Sequence, residues 1–138
     1  MTSHFPEMLI GAGTVLTTKQ VDEAIEAGAK FIVSPGLNKK VVKYCQEKEI
    51  LMLPGCATPS DMEKAIELGL EVVKFFPAEA NGGLKAIKAM AAPYSTLRFM
   101  PTGRINPQNL KEYLNFEKII ACGGTWMVND EFVKNHDW

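Results

Sequence analysis

The stretch VVKFFPAE, residues Val72–Glu79, is an apolar run that contains one lysine and ends at a proline corner. Its valines and phenylalanines are residue types that favour a buried β-strand. Lys74 lies inside this run, and desolvation of a buried ammonium group lowers its pKa. A lysine that is neutral near pH 7 is a nucleophile that forms Schiff bases with carbonyl compounds. The run therefore predicts either a nucleophilic lysine or a strand-end lysine that reaches solvent or pairs with Glu79.

The run is one member of a pattern that repeats along the chain: a short apolar stretch, a glycine or proline corner, and an amphipathic helix. The corners follow one another at intervals of roughly 20–25 residues, which is typical of successive βα units. The six apolar runs cover residues 9–15, 31–36, 50–55, 72–76, 97–103 and 119–124. The predicted helices are 19–26 capped by Thr18, 38–48 capped by Asn38, 58–69 capped by Thr58, 84–90, 107–114 and 125–133.

Strands that alternate with helices predict a parallel sheet covered by helices, either a doubly wound open sheet or a (β/α)₈ barrel. The regular period favours the barrel, although eight units need at least about 200 residues. We therefore expect an α/β fold of the TIM-barrel type with about six βα units, forming a single partial barrel domain over residues 1–138. Any shortfall in units is expected at the ends of the chain.

Composition excludes several classes of function. The net charge is −1 and 46% of the residues are hydrophobic, so neither nucleic acid nor a membrane surface is an expected partner. The three cysteines show no CxxC spacing, which favours free thiols in the cytoplasm. The two histidines, His4 and His136, lie near the chain ends, so interior histidine catalysis and a histidine-rich zinc site are excluded. We expect no metal and no cofactor.

Candidate site residues lie where the predicted strands end, because active sites of parallel α/β folds gather at the carboxyl ends of the strands. Lys74 falls in this layer. The last two corners contain small residues with free backbone N–H groups beside helix starts, which is either a phosphate cradle or simply a pair of tight βα turns. Glu79 is a weak candidate for an acid/base group. These strand ends contribute Thr14, Ser34–Gly36, Gly55–Cys56, Lys74–Phe76, Thr102–Arg104 and Gly123–Thr125.

Six motifs in order give the chain a resemblance to a known family. They are GAGTVL at 11–16, SPG at 34–36, LPG at 53–55, KFFPAE at 74–79, PTG at 101–103 and GGTW at 123–126. This arrangement resembles the KDPG/KHG aldolases, class I enzymes that cleave 2-keto-3-deoxy-6-phosphogluconate (KDPG) into pyruvate and glyceraldehyde 3-phosphate. The resemblance extends from Pro6 to about Val128. A doubly wound phosphate-binding domain of another family is the less favoured alternative.

The resemblance implies roles for individual residues. Lys74 matches the Schiff-base lysine, whose iminium accepts the electrons of the cleaved carbon–carbon bond. Thr14, Pro35 and Phe76 match residues that contact pyruvate or line its pocket. Gly103 and Thr125 match the phosphate-binding corners, and the expected phosphate site comprises Gly103, Arg104, Gly123, Gly124 and Thr125. Arg104 stands where the family usually has a second glycine, and it either adds a charge for the phosphate or fills the space that the phosphate needs.

The resemblance also implies two further N-terminal βα units, which carry a general acid/base glutamate and a carboxylate-binding arginine without counterparts in this sequence. Two functions therefore stay open: an aldolase acting on KDPG or a related 2-keto-4-hydroxy acid, and a catalytically weak or inactive truncated barrel that only binds pyruvate or sugar phosphate. Open edges of a partial sheet invite association, so a homo-oligomer is expected, and the family favours a trimer.

Overall fold

The structure is a computed structural model that describes residues 3–128 and Lys134. Short strands alternate with helices of eight or nine residues along the described part of the chain. The elements in chain order are β1 (Gly11–Ala12), α1 (Thr18–Glu26), β2 (Phe31–Val33), α2 (Lys39–Glu47), β3 (Leu51–Leu53), β4 (Gly55–Cys56), α3 (Pro59–Glu67), β5 (Val72–Phe75), a 3₁₀ turn (Glu79–Asn81), α4 (Gly83–Ala91), β6 (Arg98–Pro101) and α5 (Pro107–Leu114).

All strand pairs are parallel, in the orders β1-β2-β3 and β4-β5-β6. The segment 51–56 belongs to both sheets, since its first half pairs with β2 and its second half pairs with β5. The amide of Lys74 donates to the carbonyl of Pro54 at 2.9 Å, so pairing continues through the residue between β3 and β4. The prediction of parallel strands alternating with helices is therefore confirmed.

The sixth predicted run forms only two isolated bridges, Ile119 with Phe99 of β6 and Gly123 with Thr102, the residue after β6. It therefore follows the edge of β6 without forming a continuous ladder. The last predicted helix, 125–133, lies mostly outside the described residues, and its described part is a turn in which the amide of Val128 donates to the carbonyl of Thr125.

Side-chain caps fix the starts of most helices, as the sequence predicts for Asn38 and Thr58. The prediction of Thr18 as the first cap is wrong by one residue. Thr17 is the cap because a capping box needs a polar side chain three positions later that can return a hydrogen bond. Gln20 supplies it for Thr17, whereas the residue three positions after Thr18 is Val21. Asn106 caps α5 in the same reciprocal manner with Asn109.

The two faces of the sheet differ because successive side chains of a strand point to opposite sides. One face packs against the helices, and its side chains are at most 3% exposed: Ile32, Met52, Val73, Phe75 and Phe99. We call the opposite face, which carries Lys74, the lysine face. It is half-buried or exposed along Val72, Lys74, Arg98 and Met100. The helix layer thus holds the core, and the lysine face is left for other contacts.

Two apolar clusters form the core beneath the helices. One joins α1 and α2 to the first strands, and the other joins α3, α4 and α5 to β5 and β6. Leu37 and Leu70 pack against both clusters and connect them. Within the described residues no helix is both long and apolar enough to cross a membrane.

Candidate active site

Lys74 is half-buried on the lysine face, one residue before the end of β5. Its Nζ lies 4.5 Å from the centroid of the Phe76 ring. In the described part of the chain, no carboxylate oxygen lies within 4.0 Å of this Nζ. Burial therefore lowers the pKa of Lys74 without an anion to oppose it. The alternative in which Lys74 pairs with Glu79 is wrong.

The corner after β2 lies beside Lys74. Gly55 is the register partner of Lys74, and partners in a parallel ladder direct their side chains to the same face. A side chain on Gly55 would overlap the carbonyl group of Pro35, so this carbonyl occupies the space next to Lys74. Ser34, which is 4% exposed, holds the corner by donating its hydroxyl to the carbonyl of Gly36 at 2.7 Å. The structure thus brings Pro35 to the lysine.

The corner after β6 contacts the segment that follows Lys74. The amide of Ala78 donates to the carbonyl of Thr102 at 2.9 Å, and the amide of Glu79 donates to the carbonyl of Gly103 at 3.4 Å. A Cβ atom on Gly103 would lie 3.3 Å from Cα of Pro77, and the φ angle of Gly103 is +110°. Gly103 therefore permits a close approach of the two corners that a larger residue would oppose.

Thr102, one of the strand-end residues expected from the sequence, lies at the corner after β6. It lies two residues beyond Met100, the register partner of Lys74, so its side chain belongs to the lysine face. Its Oγ1 is buried and has no hydrogen-bond partner among the described residues. The missing side chain of Gly123 makes room for it, because a Cβ atom there would lie 2.6 Å from this oxygen. A buried hydroxyl without a partner is an unsatisfied polar group, and the sequence pattern gives no sign of this environment.

Thr14 and Phe76, the other two residues expected to contact pyruvate, also follow strands at the carboxyl edge of the sheet. Thr14 is exposed just after β1, and two strand segments, β2 and β3–β4, separate β1 from β5. The next residue, Val15, donates its amide to the carbonyl of Val33 at 3.1 Å. Phe76 covers the lysine directly.

The two predicted phosphate corners, residues 103–104 and 123–125, also make contacts within the fold. Arg104 is exposed with a left-handed φ angle of +60°, and its carbonyl accepts from the side-chain amide of Asn109 at 3.1 Å. The Trp126 ring lies where a side chain on Gly124 would be, so a larger residue at this position would displace the ring. Thr125 is exposed beside it.

Glu79 is engaged away from Lys74. Its Oε1 accepts a hydrogen bond from the hydroxyl of Tyr113, a residue of α5 that is 2% exposed. The carboxylate therefore faces the helix layer, which argues against its suggested role as an acid/base group for Lys74.

The arrangement has the elements needed for covalent chemistry on a carbonyl compound. A half-buried lysine with a lowered pKa supplies the amine, and the Phe76 ring lies over its Nζ. Within the described residues, no cluster of three or more histidine, cysteine or acidic side chains is arranged to hold a metal ion.

A sequence profile of the family described as KDPG and KHG aldolase matches residues 1–138. Among relatives, the 2-dehydro-3-deoxy-phosphogluconate aldolase of Haemophilus influenzae is 49% identical over the whole of this chain and 65% of its own length. The KHG/KDPG aldolase of Escherichia coli K12 is 44% identical with the same coverage. The chain thus spans slightly less than two thirds of the length of these relatives.

Solved structures show the same similarity. A KDPG aldolase from Legionella pneumophila, with pyruvate captured as a covalent carbinolamine intermediate, has a TM-score of 0.93 and 40% identity over 99% of this chain and 66% of that one. A 2-keto-3-deoxy-6-phosphogluconate aldolase from Zymomonas mobilis with 3-phosphoglycerate has a TM-score of 0.88 and 44% identity over 91% of this chain and 60% of that one.

Proposed function

Since this chain belongs to the KDPG and KHG aldolase family, we propose that it acts as a class I aldolase with Lys74 as its Schiff-base nucleophile. The substrate is KDPG or a related 2-keto-4-hydroxy acid, and the products are pyruvate and an aldehyde. The observation that carries this proposal is the half-buried amine of Lys74, which has a lowered pKa and no carboxylate within 4.0 Å in the described part of the chain.

The chemistry follows from the amine. Neutral Lys74 attacks the keto carbon of the substrate, and loss of water from the resulting carbinolamine leaves an iminium ion. A base takes the proton of the C4 hydroxyl, the C3–C4 bond breaks, and its electron pair moves to the iminium as the aldehyde leaves. The enamine that remains takes a proton at C3, and hydrolysis releases pyruvate and restores the amine.

The remaining predicted residues have places in this scheme. Thr14, Pro35 and Phe76 would contact the pyruvate portion of the substrate. The phosphate of a phosphorylated substrate would bind at Gly103, Arg104, Gly123, Gly124 and Thr125. Support comes from the close packing of the corner 102–103 against the segment that follows Lys74.

We propose the following assembly for this function. The parallel strands form a single partial (β/α)₈ barrel domain of about six βα units over residues 1–138, and the chain forms a homo-oligomer, with a trimer favoured. It works in the cytoplasm on a small molecule, without a metal or organic cofactor. The cysteines Cys45, Cys56 and Cys122 are free thiols, which is consistent with a reducing compartment.

Trapping with pyruvate and borohydride tests the proposal. The chain is incubated with pyruvate, reduced, and measured by intact mass alongside Lys74→Ala and Lys88→Ala. Lys88 is a matched control because its Nζ also lies over a phenylalanine ring, 5.7 Å from the centroid of Phe116. We expect an adduct in the unmutated chain and in Lys88→Ala and none in Lys74→Ala. Absence of an adduct from the unmutated chain would refute the nucleophile assignment.

Steady-state cleavage of KDPG distinguishes the aldolase from the alternative, a barrel that binds pyruvate or sugar phosphate without turnover. General acid/base catalysis contributes about 10²–10⁴-fold to such rates. Because no carboxylate lies near Nζ in the described residues, we expect turnover to be slow compared with adduct formation. Arg104→Gly should change KM for phosphorylated substrates, and an unchanged KM would remove Arg104 from the phosphate site.

A further inference from the structure

The segment after Lys74 is fastened to the helix layer by a side-chain pair. Glu79 accepts the hydroxyl hydrogen bond of Tyr113, which lies 34 residues later in the chain. Burial and the bond to Glu79 raise the pKa of Tyr113, so this hydroxyl remains protonated and donates across the range in which the enzyme would work. A buried hydroxyl left without a partner is destabilising, so the Tyr113 hydroxyl and the Glu79 carboxylate have a physical reason to stay joined.

The start of α4 closes over this pair. A Cβ atom on Gly83 would lie 2.9 Å from both Oε1 of Glu79 and the hydroxyl oxygen of Tyr113, and the φ angle of Gly83 is +57°. The amide of Gly83 also donates to the carbonyl of Ala78 at 2.9 Å. Three segments therefore meet at one hydrogen bond: the turn after β5, the first residue of α4, and α5.

The pair is connected to Lys74 through a short segment that is held at both ends. At one end, Phe75 belongs to the β5 ladder, with its carbonyl accepting from the Thr102 amide at 3.0 Å. At the other end, Glu79 is bound by its side chain to α5 and by its amide to Gly103. Between these ends lies Phe76, whose ring covers the Nζ of Lys74.

We propose that Glu79 and Tyr113 are positioning residues, whose hydrogen bond holds residues 76–78 so that the Phe76 ring stays against Lys74. The inference rests on the proposed function, since positioning matters only if Lys74 reacts. Neither residue contacts the reacting atoms. The bond acts on Phe76 through the backbone, and a misplacement of about 1 Å in a reacting group is enough to cost up to roughly 100-fold in rate.

The test compares Tyr113→Phe, Glu79→Ala and Glu79→Gln, where the amide oxygen of glutamine still accepts a hydrogen bond. Tyr94→Phe is the matched control, because the Tyr94 hydroxyl also donates to a glutamate, Glu63, at 3.2 Å between distant segments. Two quantities are measured well below the unfolding temperature of every variant. They are the maximal rate of pyruvate adduct formation and the hydrogen-exchange protection of the amides of Ala78 and Glu79.

We expect the maximal rate to fall roughly tenfold in Tyr113→Phe and Glu79→Ala, with Glu79→Gln within about threefold of the unmutated chain and Tyr94→Phe unchanged. The two amides should lose protection in the same variants that lose rate. A lowered unfolding temperature with unchanged rate and protection would show a merely structural bond and overturn the inference. If the unmutated chain forms no adduct, the proposed function itself is wrong and the positioning role falls with it.

Discussion

Gly103→Ala tests whether the corner after β6 is shaped by close backbone packing. The φ angle of +110° is unfavourable for any residue with a Cβ atom, at a cost of about 1–3 kcal/mol. The new Cβ would also lie 3.2 Å from the amide nitrogen of Ala78 and 3.3 Å from Cα of Pro77. To relieve this contact, the segment 77–78 must move away from Thr102. This movement weakens the hydrogen bond from the amide of Ala78 to the carbonyl of Thr102, which is worth about 1 kcal/mol.

Alanine also has less conformational freedom than glycine in the unfolded chain, which stabilises the folded state by about 0.4–1 kcal/mol and offsets part of this loss. We therefore expect Gly103→Ala to lower the free energy of unfolding by about 1–3 kcal/mol, measured by urea denaturation with the change in Cm at constant m. In a thermal scan, this corresponds to a decrease in Tm of roughly 3–10 °C. The pyruvate adduct should also form more slowly, since the displaced segment follows Lys74.

Gly36→Ala is the matched control for this prediction. A Cβ atom on Gly36 meets nothing within 4 Å, and its φ angle is outside the left-handed region. Its substitution should be neutral or stabilise the fold by up to about 1 kcal/mol. If Gly103→Ala changes the free energy of unfolding no more than Gly36→Ala does, the packing argument for this corner is refuted.

Three further predictions concern single side chains. Arg104→Gly should raise the free energy of unfolding, measured in urea, by up to about 1 kcal/mol, because the φ angle of Arg104 is +60° and glycine adopts it without strain. Glu49→Gly should have the same effect, since the φ angle of Glu49 is +54°. A loss of stability in both variants would contradict this reasoning. Burial opposes ionisation of Asp61, but hydrogen bonds from Ala57 and Thr58 lower its pKa, so Asp61→Ala should cost about 1–2 kcal/mol. The part of this difference that depends on the Asp61 charge should be fully present above about pH 5 and should shrink as pH falls below about 4 and through the pKa of the folded state. A difference in free energy of unfolding that does not change with pH would refute this prediction. Lys74→Met should raise the free energy of unfolding at pH 7, measured as a higher urea midpoint at constant m, because burial lowers the pKa of Lys74 and penalises the charged form. Solvent screening at this half-buried position limits the gain to at most about 1 kcal/mol. Since the pKa of Lys74 is lower in the folded state, the unfolded state binds more protons, and the free energy of unfolding of the unmutated chain should rise relative to that of Lys74→Met as pH rises towards about 10.4. A difference in free energy of unfolding that stays constant with pH would count against this reasoning.

The order of strands and helices could be read from the sequence because it depends on local patterns. Apolar runs that end at glycine or proline, and caps such as Asn38 and Thr58, act within a few residues of themselves. The same local rule places the first cap at Thr17 when the glutamine three residues later is considered. The sixth run was predicted as a strand from its composition, but ladder formation depends on a partner, and this run forms only two isolated bridges, one with β6 and one with the residue after it.

Within the site, the sequence by itself determined that Lys74 lies in an apolar strand near the carboxyl edge of a parallel sheet, because period, composition and corner spacing are properties of the chain. It could not decide what faces the lysine. The absence of a carboxylate within 4.0 Å in the described residues, the Pro35 carbonyl over Gly55, and the free hydroxyl of Thr102 all arise from contacts between distant segments. The tertiary structure likewise turned Glu79 from a candidate base into the partner of Tyr113. A side chain's charge state and partners depend on which groups share its volume, and folding alone brings those groups together.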